Sequence, residues 1–390
     1  MTFTRFRGHR IRSGIAAFAV GALLLAGCSS SANGPMPVDR PAAPEGELPV
    51  DLQAKLQAAI KTTMAKYDVP GAVAGVWVPG QGSWTSASGL ANTKDKVPAS
   101  TDMMWPIRSI TKSYTVTLLL QLVDEGKVKL DDTLNKYVDG VTNGDKITLL
   151  ELANMSSGVA DYVNEAFMKE FAQDPTKVFT LNELNAGVLG QPAQFAPGTK
   201  YLYTNANTNL IGAVIEKVTG QQYADVLNER ILEPLGQTGT KYILNVQDWK
   251  APHPTGYMPD PVNGKPTPAD ENPSILGPAG AMFSTLEDGR VWADTLGSGS
   301  MIKSETQSLR EIGHKIPTPP YDLYAVGMGQ TNGWLGHNGE GIGFTAATFN
   351  NPFTGASIVV YMNKSNLPDK AHPADEGFRA ITKVLAESNS

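Results

Sequence analysis

Ser109-Ile110-Thr111-Lys112-Ser113 leads through Tyr114-Thr115-Val116-Thr117 into Leu118-Leu119-Leu120-Gln121-Leu122-Val123-Asp124-Glu125-Gly126, and the reading of the whole chain turns on this stretch. From Ile110 to Glu125 it is apolar on nearly every face, which predicts a helix buried inside a large protein. Gly126 falls in the C′ position that ends such a helix. Ser109 and Lys112 sit at its head, three residues apart, so they share one face and the amine reaches the hydroxyl. The helix N-terminus adds open amide donors and a field that favours a developing anion. A serine is a weak nucleophile until a neighbour takes its proton, and a desolvated lysine can do so because burial disfavours its charged form. Ser-x-x-Lys arises by chance about once in a chain of this length. Its placement at the head of an apolar helix is what gives it weight.

Outward from that helix, the chain divides into three parts. On the N-terminal side, Leu52, Leu56, Ile60 and Met64 recur every four residues, an amphipathic helix with Asp51 near its start. Strand-like runs follow at Ala72–Val78 and Ser83–Ser88, with Pro79-Gly80-Gln81-Gly82 as the turn. The middle, about 100–285, reads as mostly helical, with further helices at Asn207–Val218, Tyr223–Ile231 and Leu286–Leu296. Pro252–Pro278 reads as an irregular, proline-rich surface loop on the rim of a site. On the C-terminal side, Leu323–Gly329, Gly343–Phe349 and Ala356–Met362 are strand candidates, and Ala374–Glu387 is a last helix. Strands at both ends with helices between predict an α+β fold, an antiparallel sheet built from both termini with a helical lobe inserted. A cleft between the two is the natural place for a site.

Two further segments carry chemistry. Tyr203-Thr204-Asn205 follows the turn Pro197-Gly198. A phenol shuttles protons if nearby cations lower its pKa, and an asparagine can hold the lysine and donate to a substrate carbonyl. A core tyrosine with a turn asparagine is the plain alternative. His337-Asn338-Gly339 lies on or beside a late strand. Glycine at a strand edge lets a substrate backbone approach, and the N–H of Glu340 can pair with that of Ser109 as an oxyanion hole. A satisfied core histidine is the plain alternative there.

Ser-x-x-Lys, Tyr-x-Asn and His-x-Gly, in that order, resemble the serine β-lactamase and D-Ala-D-Ala carboxypeptidase superfamily. Within it the chain is most similar to the branch of class C β-lactamases, Streptomyces-type D,D-carboxypeptidases and related esterases. The similarity covers most of 50–385 and extends to Ile147-Thr148-Leu149, Ser157-Gly158, Pro234-Leu235-Gly236, Gly277-Pro278-Ala279-Gly280 and Ser284-Thr285. The resemblance implies a β-lactamase/transpeptidase-like fold, with the site in the cleft between sheet and helical lobe. It implies that Ser109 forms an acyl-enzyme, that Lys112 and Tyr203 move the proton, and that Asn205 positions. It places His337 where β-lactamases carry a lysine, beside Gly339, and gives the oxyanion to the amides of Ser109 and Glu340. It implies no cofactor, and no metal-ligand spacing of His, Asp and Glu is present in the sequence.

Two departures bear on the substrate, and a third, at Met155, does not. Asn338 and Glu340 flank Gly339 where the carboxypeptidase pattern has hydroxyl residues. Between Ala325 and Gly336 there is no Lys or Arg to meet a substrate carboxylate, and Glu340 repels one unless it points away or is paired. Either a basic residue reaches in from another loop, or the substrate lacks a free carboxylate. Met155 stands where many relatives have histidine, and reads as packing. Three readings remain: a D,D-carboxypeptidase-like peptidase on cell-wall peptides with some β-lactam turnover, an esterase on neutral acyl groups, and a non-catalytic lipoprotein that binds a wall fragment or a partner.

Composition sets the frame. Of 390 residues, 41% are hydrophobic and 18% charged, enough apolar material for a large core. A net charge of −6 and the lack of a basic stripe beyond the N-terminus set nucleic acid aside. Arg5, Arg7, Arg10 and Arg12 precede the short apolar run Ile15–Ala26, which ends in Leu25-Ala26-Gly27-Cys28. This order predicts a signal peptide over 1–27 and lipid attachment at Cys28, so that the mature protein is anchored to the outer face of a bacterial cell membrane. Cleavage there removes four arginines and no acid, taking the net charge to −10. Cys28 is the only cysteine, so no disulfide is available to the body. The segment 28–49, rich in Pro, Ser and Ala, reads as a tether, and 50–390 as the hydrolase domain.

Overall fold

The computed structural model describes residues 38–388 apart from 261, 270, 271, 317 and 318. Cys28 and the expected signal segment lie outside the described residues. Helix α1 (Val50–Tyr67) leads into strands β1 (Gly71–Val78), β2 (Gly82–Asn92) and β3 (Val97–Pro98). The helical lobe includes α2 (Thr111–Asp124), α3 (Asn205–Thr219) and short helices at Leu149–Ala153, Glu165–Gln173 and Leu181–Ala186. Helix α4 (Leu286–Ser298) returns the chain to the sheet. Strands β4 (His314–Lys315), β5 (Leu323–Tyr324), β6 (Gly329–Thr331), β7 (Trp334–Gly341), β8 (Phe344–Asn350) and β9 (Ser357–Met362) follow, then helix α5 (Pro373–Ser388).

The nine strands form one antiparallel sheet in the order β3-β2-β1-β9-β8-β7-β6-β5-β4. The two termini meet at its centre, where β1 pairs with β9 from Ala72–Met362 to Trp77–Ser357. The alternation of strand side chains sorts them between two cores. Ala72, Ala74 and Val76, with Ile358, Val360 and Met362, pack against Leu56 and Ile60 of α1 and Phe378 and Ile381 of α5. Val73 and Trp77, with Val359 and Tyr361, face α2 and α4. Both strands are buried on both faces, which is why they read as continuous apolar runs.

Helix α2 fulfils its reading. Thr111 to Leu122 are all buried, and Gly126 takes φ +69° just past the end. Elsewhere the outcome differs from expectation. Leu323–Gly329 is two short strands, broken by a turn in which Ala325 N–H donates to Met328 O and Gly327 takes φ +72°. The loop 252–278 is neither wholly irregular nor wholly on the surface. Gly256–Pro259 pairs with Pro266–Ala269 as a hairpin, and Pro273–Ala279 turns inward and is buried except for the half-buried Leu276. A two-stranded ribbon tolerates proline, because each strand has an outward edge that needs no donor. The described part of the expected tether is not free either. Arg40 donates to Leu235 O and pairs with Asp288, Arg290 donates to Pro41 O, and Leu48 is buried against the body.

Candidate active site

Ser109 lies in a single 3-10 turn, Arg108–Ile110, that opens α2. Arg108 immediately before it takes φ +51°, a left-handed conformation that is strained for a bulky side chain. Its guanidinium donates to Ile342 O at 2.9 Å and lies over the Phe344 ring, so the strained residue is pinned to the β7–β8 turn. The serine is thereby locked between helical lobe and sheet.

Lys112 is fully buried. Its Nζ lies 2.9 Å from Ser109 Oγ, 2.8 Å from Asn205 Oδ1 and 2.9 Å from Ala279 O. Burial lowers its pKa to about 7, and Asp161 works in the opposite direction. A neutral amine has two hydrogens and one lone pair. The amide oxygen of Asn205 and the carbonyl of Ala279 only accept, so they take the two hydrogens. The lone pair is left facing the Ser109 hydroxyl, the arrangement a general base needs.

Asn205 opens α3. The preceding Thr204 gives no side-chain cap, and Asp161 Oδ2 accepts the Asn205 N–H at 2.9 Å instead. Tyr203 stands beside the pair, with Lys112 Nζ 4.8 Å from its ring centre. Burial pushes its phenol well above the usual range, opposed by the hydrogen bond with Ser109. The condition of a phenol pKa lowered by nearby cations is therefore not met. Tyr203 is a neutral hydroxyl, which can pass a proton on but does not hold the negative charge.

Strand β7 supplies the opposite wall. Gly339 passes so close to Ser109 that a Cβ there would lie 2.2 Å from Ile107 O and 3.0 Å from Ser109 N. Glycine is required for this approach. In the antiparallel ladder, successive residues present their amides to opposite edges. The two-residue β7–β8 hairpin closes on the Gly341–Phe344 pair, which turns the amides of Asn338 and Glu340 away from β8. Accordingly Asn338 N–H is taken by the Tyr321 hydroxyl at 2.8 Å. The Glu340 amide is thereby left without a partner in β8, and Ser109 and Glu340 line the same cavity.

His337 is placed differently from the expected ligand-facing position. It is fully buried and does not line the cavity. Burial pushes its pKa down to about 3, so the ring is neutral. Nδ1 contacts the Asn338 carbonyl, which only accepts, so Nδ1 carries the proton. Nε2 then accepts from the Tyr324 hydroxyl at 3.1 Å. Tyr321 OH donates to Asn338 Oδ1 at 2.6 Å. The histidine and two tyrosines thus hold the strand that carries Gly339 and Glu340.

A cavity of about 540 Å³ opens on Ser109, Tyr203 and Asn205 and runs along Asn338 and Glu340 to Lys370. Lys370 belongs to the loop after β9, so a basic residue does reach in from elsewhere in the chain. Glu340 Oε1 accepts from Asn366 N–H at 3.1 Å. Met155 is packing, as expected: it is buried, and its sulfur accepts from Asn207. Asp161, Tyr321, Tyr324, Lys370 and His372 were not singled out from the sequence. Asp161 follows Ser157-Gly158 closely, which is a usable signal; the others join the site only through folding. Among the described residues no cluster of His, Cys, Asp or Glu is arranged to hold a metal.

The family described as Beta-lactamase matches residues 56–380. Protein flp of Staphylococcus aureus (strain COL) is 27% identical over 313 residues, covering 77% of this chain and 59% of that protein. The chain therefore spans about three-fifths of the length of that relative. The D-aminopeptidase of Brucella anthropi is 30% identical over 238 residues, covering 61% of this chain and 44% of that protein. Among solved structures, a D-stereospecific amidohydrolase from Streptomyces sp. superposes with a TM-score of 0.73 at 26% identity, covering 85% of this chain and 97% of the other.

Proposed function

Because the chain belongs to the Beta-lactamase family, we propose that it is a serine hydrolase that opens amide bonds in short D-amino-acid peptides or amides through an acyl-enzyme on Ser109. Neutral Lys112 takes the Ser109 proton as Oγ attacks the substrate carbonyl. The oxygen's negative charge develops between the amides of Ser109 and Glu340. The proton passes by way of Tyr203 to the leaving nitrogen, and water then releases the acyl group from Ser109.

The observation that carries the substrate reading is Glu340. Its carboxylate is held beside the oxyanion amide by Asn366 N–H, at a place where it repels a substrate carboxylate and accommodates an amine or a neutral amide. The D-aminopeptidase and the D-stereospecific amidohydrolase support the same class. Lys370 on the cavity wall favours a second reading, a D,D-carboxypeptidase whose substrate keeps its carboxylate.

A four-substrate panel with purified protein and Ser109→Ala separates these readings. D-Alanine p-nitroanilide is expected to be cleaved by the wild type and not by the variant. Turnover only of N-acetyl-D-Ala-D-Ala, or a stoichiometric benzylpenicillin adduct by intact mass without anilide cleavage, would shift the assignment to the carboxypeptidase. Turnover of p-nitrophenyl acetate alone would shift it to an esterase. Binding of wall peptide without any turnover would make the protein a non-catalytic binder.

The N-terminal order supports a location as well: the protein is exported and held to the outer face of the cell membrane by a lipid on Cys28. Cys28→Ser is expected to move it from the membrane to the soluble fraction. Unchanged partitioning would refute the anchor.

A further inference from the structure

The second oxyanion amide, that of Glu340, belongs to a peptide unit whose other end is the carbonyl of Gly339. That carbonyl has a side-chain partner. His372, in the loop between β9 and α5, places Nε2 3.0 Å from Gly339 O. Its other nitrogen fixes where the proton sits. Nδ1 lies 3.1 Å from the backbone nitrogen of Asp375, in the first turn of α5. A backbone amide only donates, so Nδ1 accepts and carries no proton. Nε2 carries it and donates to Gly339 O. The ring is therefore the neutral Nε2–H tautomer and acts through a dipole.

The Gly339–Glu340 peptide is planar and trans, which puts its oxygen and its N–H on opposite sides of one rigid plate. A donor on the oxygen end does two things. It adds to the ladder with β8, which the same oxygen faces, in fixing the rotation of the plate and hence the direction of the N–H. It also draws electron density toward the oxygen, which makes the N–H a stronger donor, the cooperativity expected of linked hydrogen bonds in a low-dielectric site. We propose that His372 is a positioning residue for the oxyanion hole, acting through the Gly339–Glu340 peptide on the amide that receives the developing charge. The α5 N-terminus, by holding Nδ1, sets the tautomer that makes this possible. The inference rests on the acyl-enzyme reading above, but not on which amide is the substrate.

The test uses the full chain with His372→Ala and His372→Gln. Each is assayed for kcat and KM on p-nitrophenyl acetate and for inhibition by phenylboronic acid, whose tetrahedral adduct with Ser109 places an oxygen in the hole. His372→Ala is expected to lower kcat about tenfold, less than loss of a direct oxyanion donor, with KM changed by no more than about twofold. Phenylboronic acid should weaken by a similar factor. Glutamine carries an N–H donor on a side chain of comparable reach, so His372→Gln should recover most of both losses. Unchanged kcat and boronate affinity in His372→Ala would overturn the proposal. So would equal losses in both variants that track a fall in melting temperature, because they mark a purely structural role. Failure of the D-amino-acid reading leaves the comparison intact, since neither probe contains a D-residue. A wild type inert to both probes overturns the acyl-enzyme reading and this inference together.

Discussion

Among the described residues the ammonium form of Lys112 has no carboxylate within hydrogen-bond distance, only Ser109, Asn205 and the Ala279 carbonyl. The charged form is therefore the costly one, and burial brings the pKa to about 7. Acylation is expected to rise with pH through about 7, as the neutral base becomes populated, and Lys112→Met should lower it by about 1,000-fold. Stability follows from the same shift. Between about 7 and the ordinary lysine value of 10.5 the unfolded chain binds more protons than the folded one, so wild-type stability rises with pH across that window. Lys112→Met removes the buried charge. It should be more stable than wild type below about pH 7, with the advantage fading toward pH 10.5, as read by urea denaturation across pH. A variant less stable than wild type at pH 6 would contradict the account of Lys112 as a strained functional group.

At the scale of elements, the site depends on how closely β7 approaches the head of α2. Gly339 allows the contact, Arg108 fixes the turn from below, and Tyr321, Tyr324 and His337 hold the strand from behind. Gly339→Ala places a methyl group against backbone atoms of Ile107 and Ser109, which cannot yield as a flexible side chain would. Displacing the strand by about 1 Å is expected to cost about 100-fold in kcat/KM, while the circular dichroism of the sheet is retained because the pairing with β8 survives. Activity within about threefold of wild type would mean that the oxyanion amide is not set by this contact. Strand β7 was only weakly legible in the sequence, as a late strand on or beside His337-Asn338-Gly339. Gly336, Gly339 and Gly341, with His337, Asn338 and Glu340, lack the branched and aromatic residues that mark strands. It forms because β8 and the tyrosines give it partners.

For the whole molecule, the sheet closes only when the ends of the chain meet, β1 against β9 and α1 beside α5. Between them the helical lobe delivers Ser109, Lys112, Tyr203 and Asn205 to one side of the cleft, and the C-terminal strands deliver Asn338 and Glu340 to the other. Local pattern was enough for the amphipathic helices α1 and α5 and for the unbroken apolar runs of α2, β1, β8 and β9. It also determined the order of the three motifs, because residue types at fixed spacing record local chemistry. The remaining contacts join residues far apart in the chain. The pairing of Lys112 with Asn205 spans 93 positions, and that of His372 with Gly339 spans 33. Whether Tyr203 keeps its proton, and whether His337 faces ligand or core, depends on burial by segments far along the chain. Desolvation and hydrogen-bond partnership are properties of neighbours in space, and no local pattern of residues encodes them.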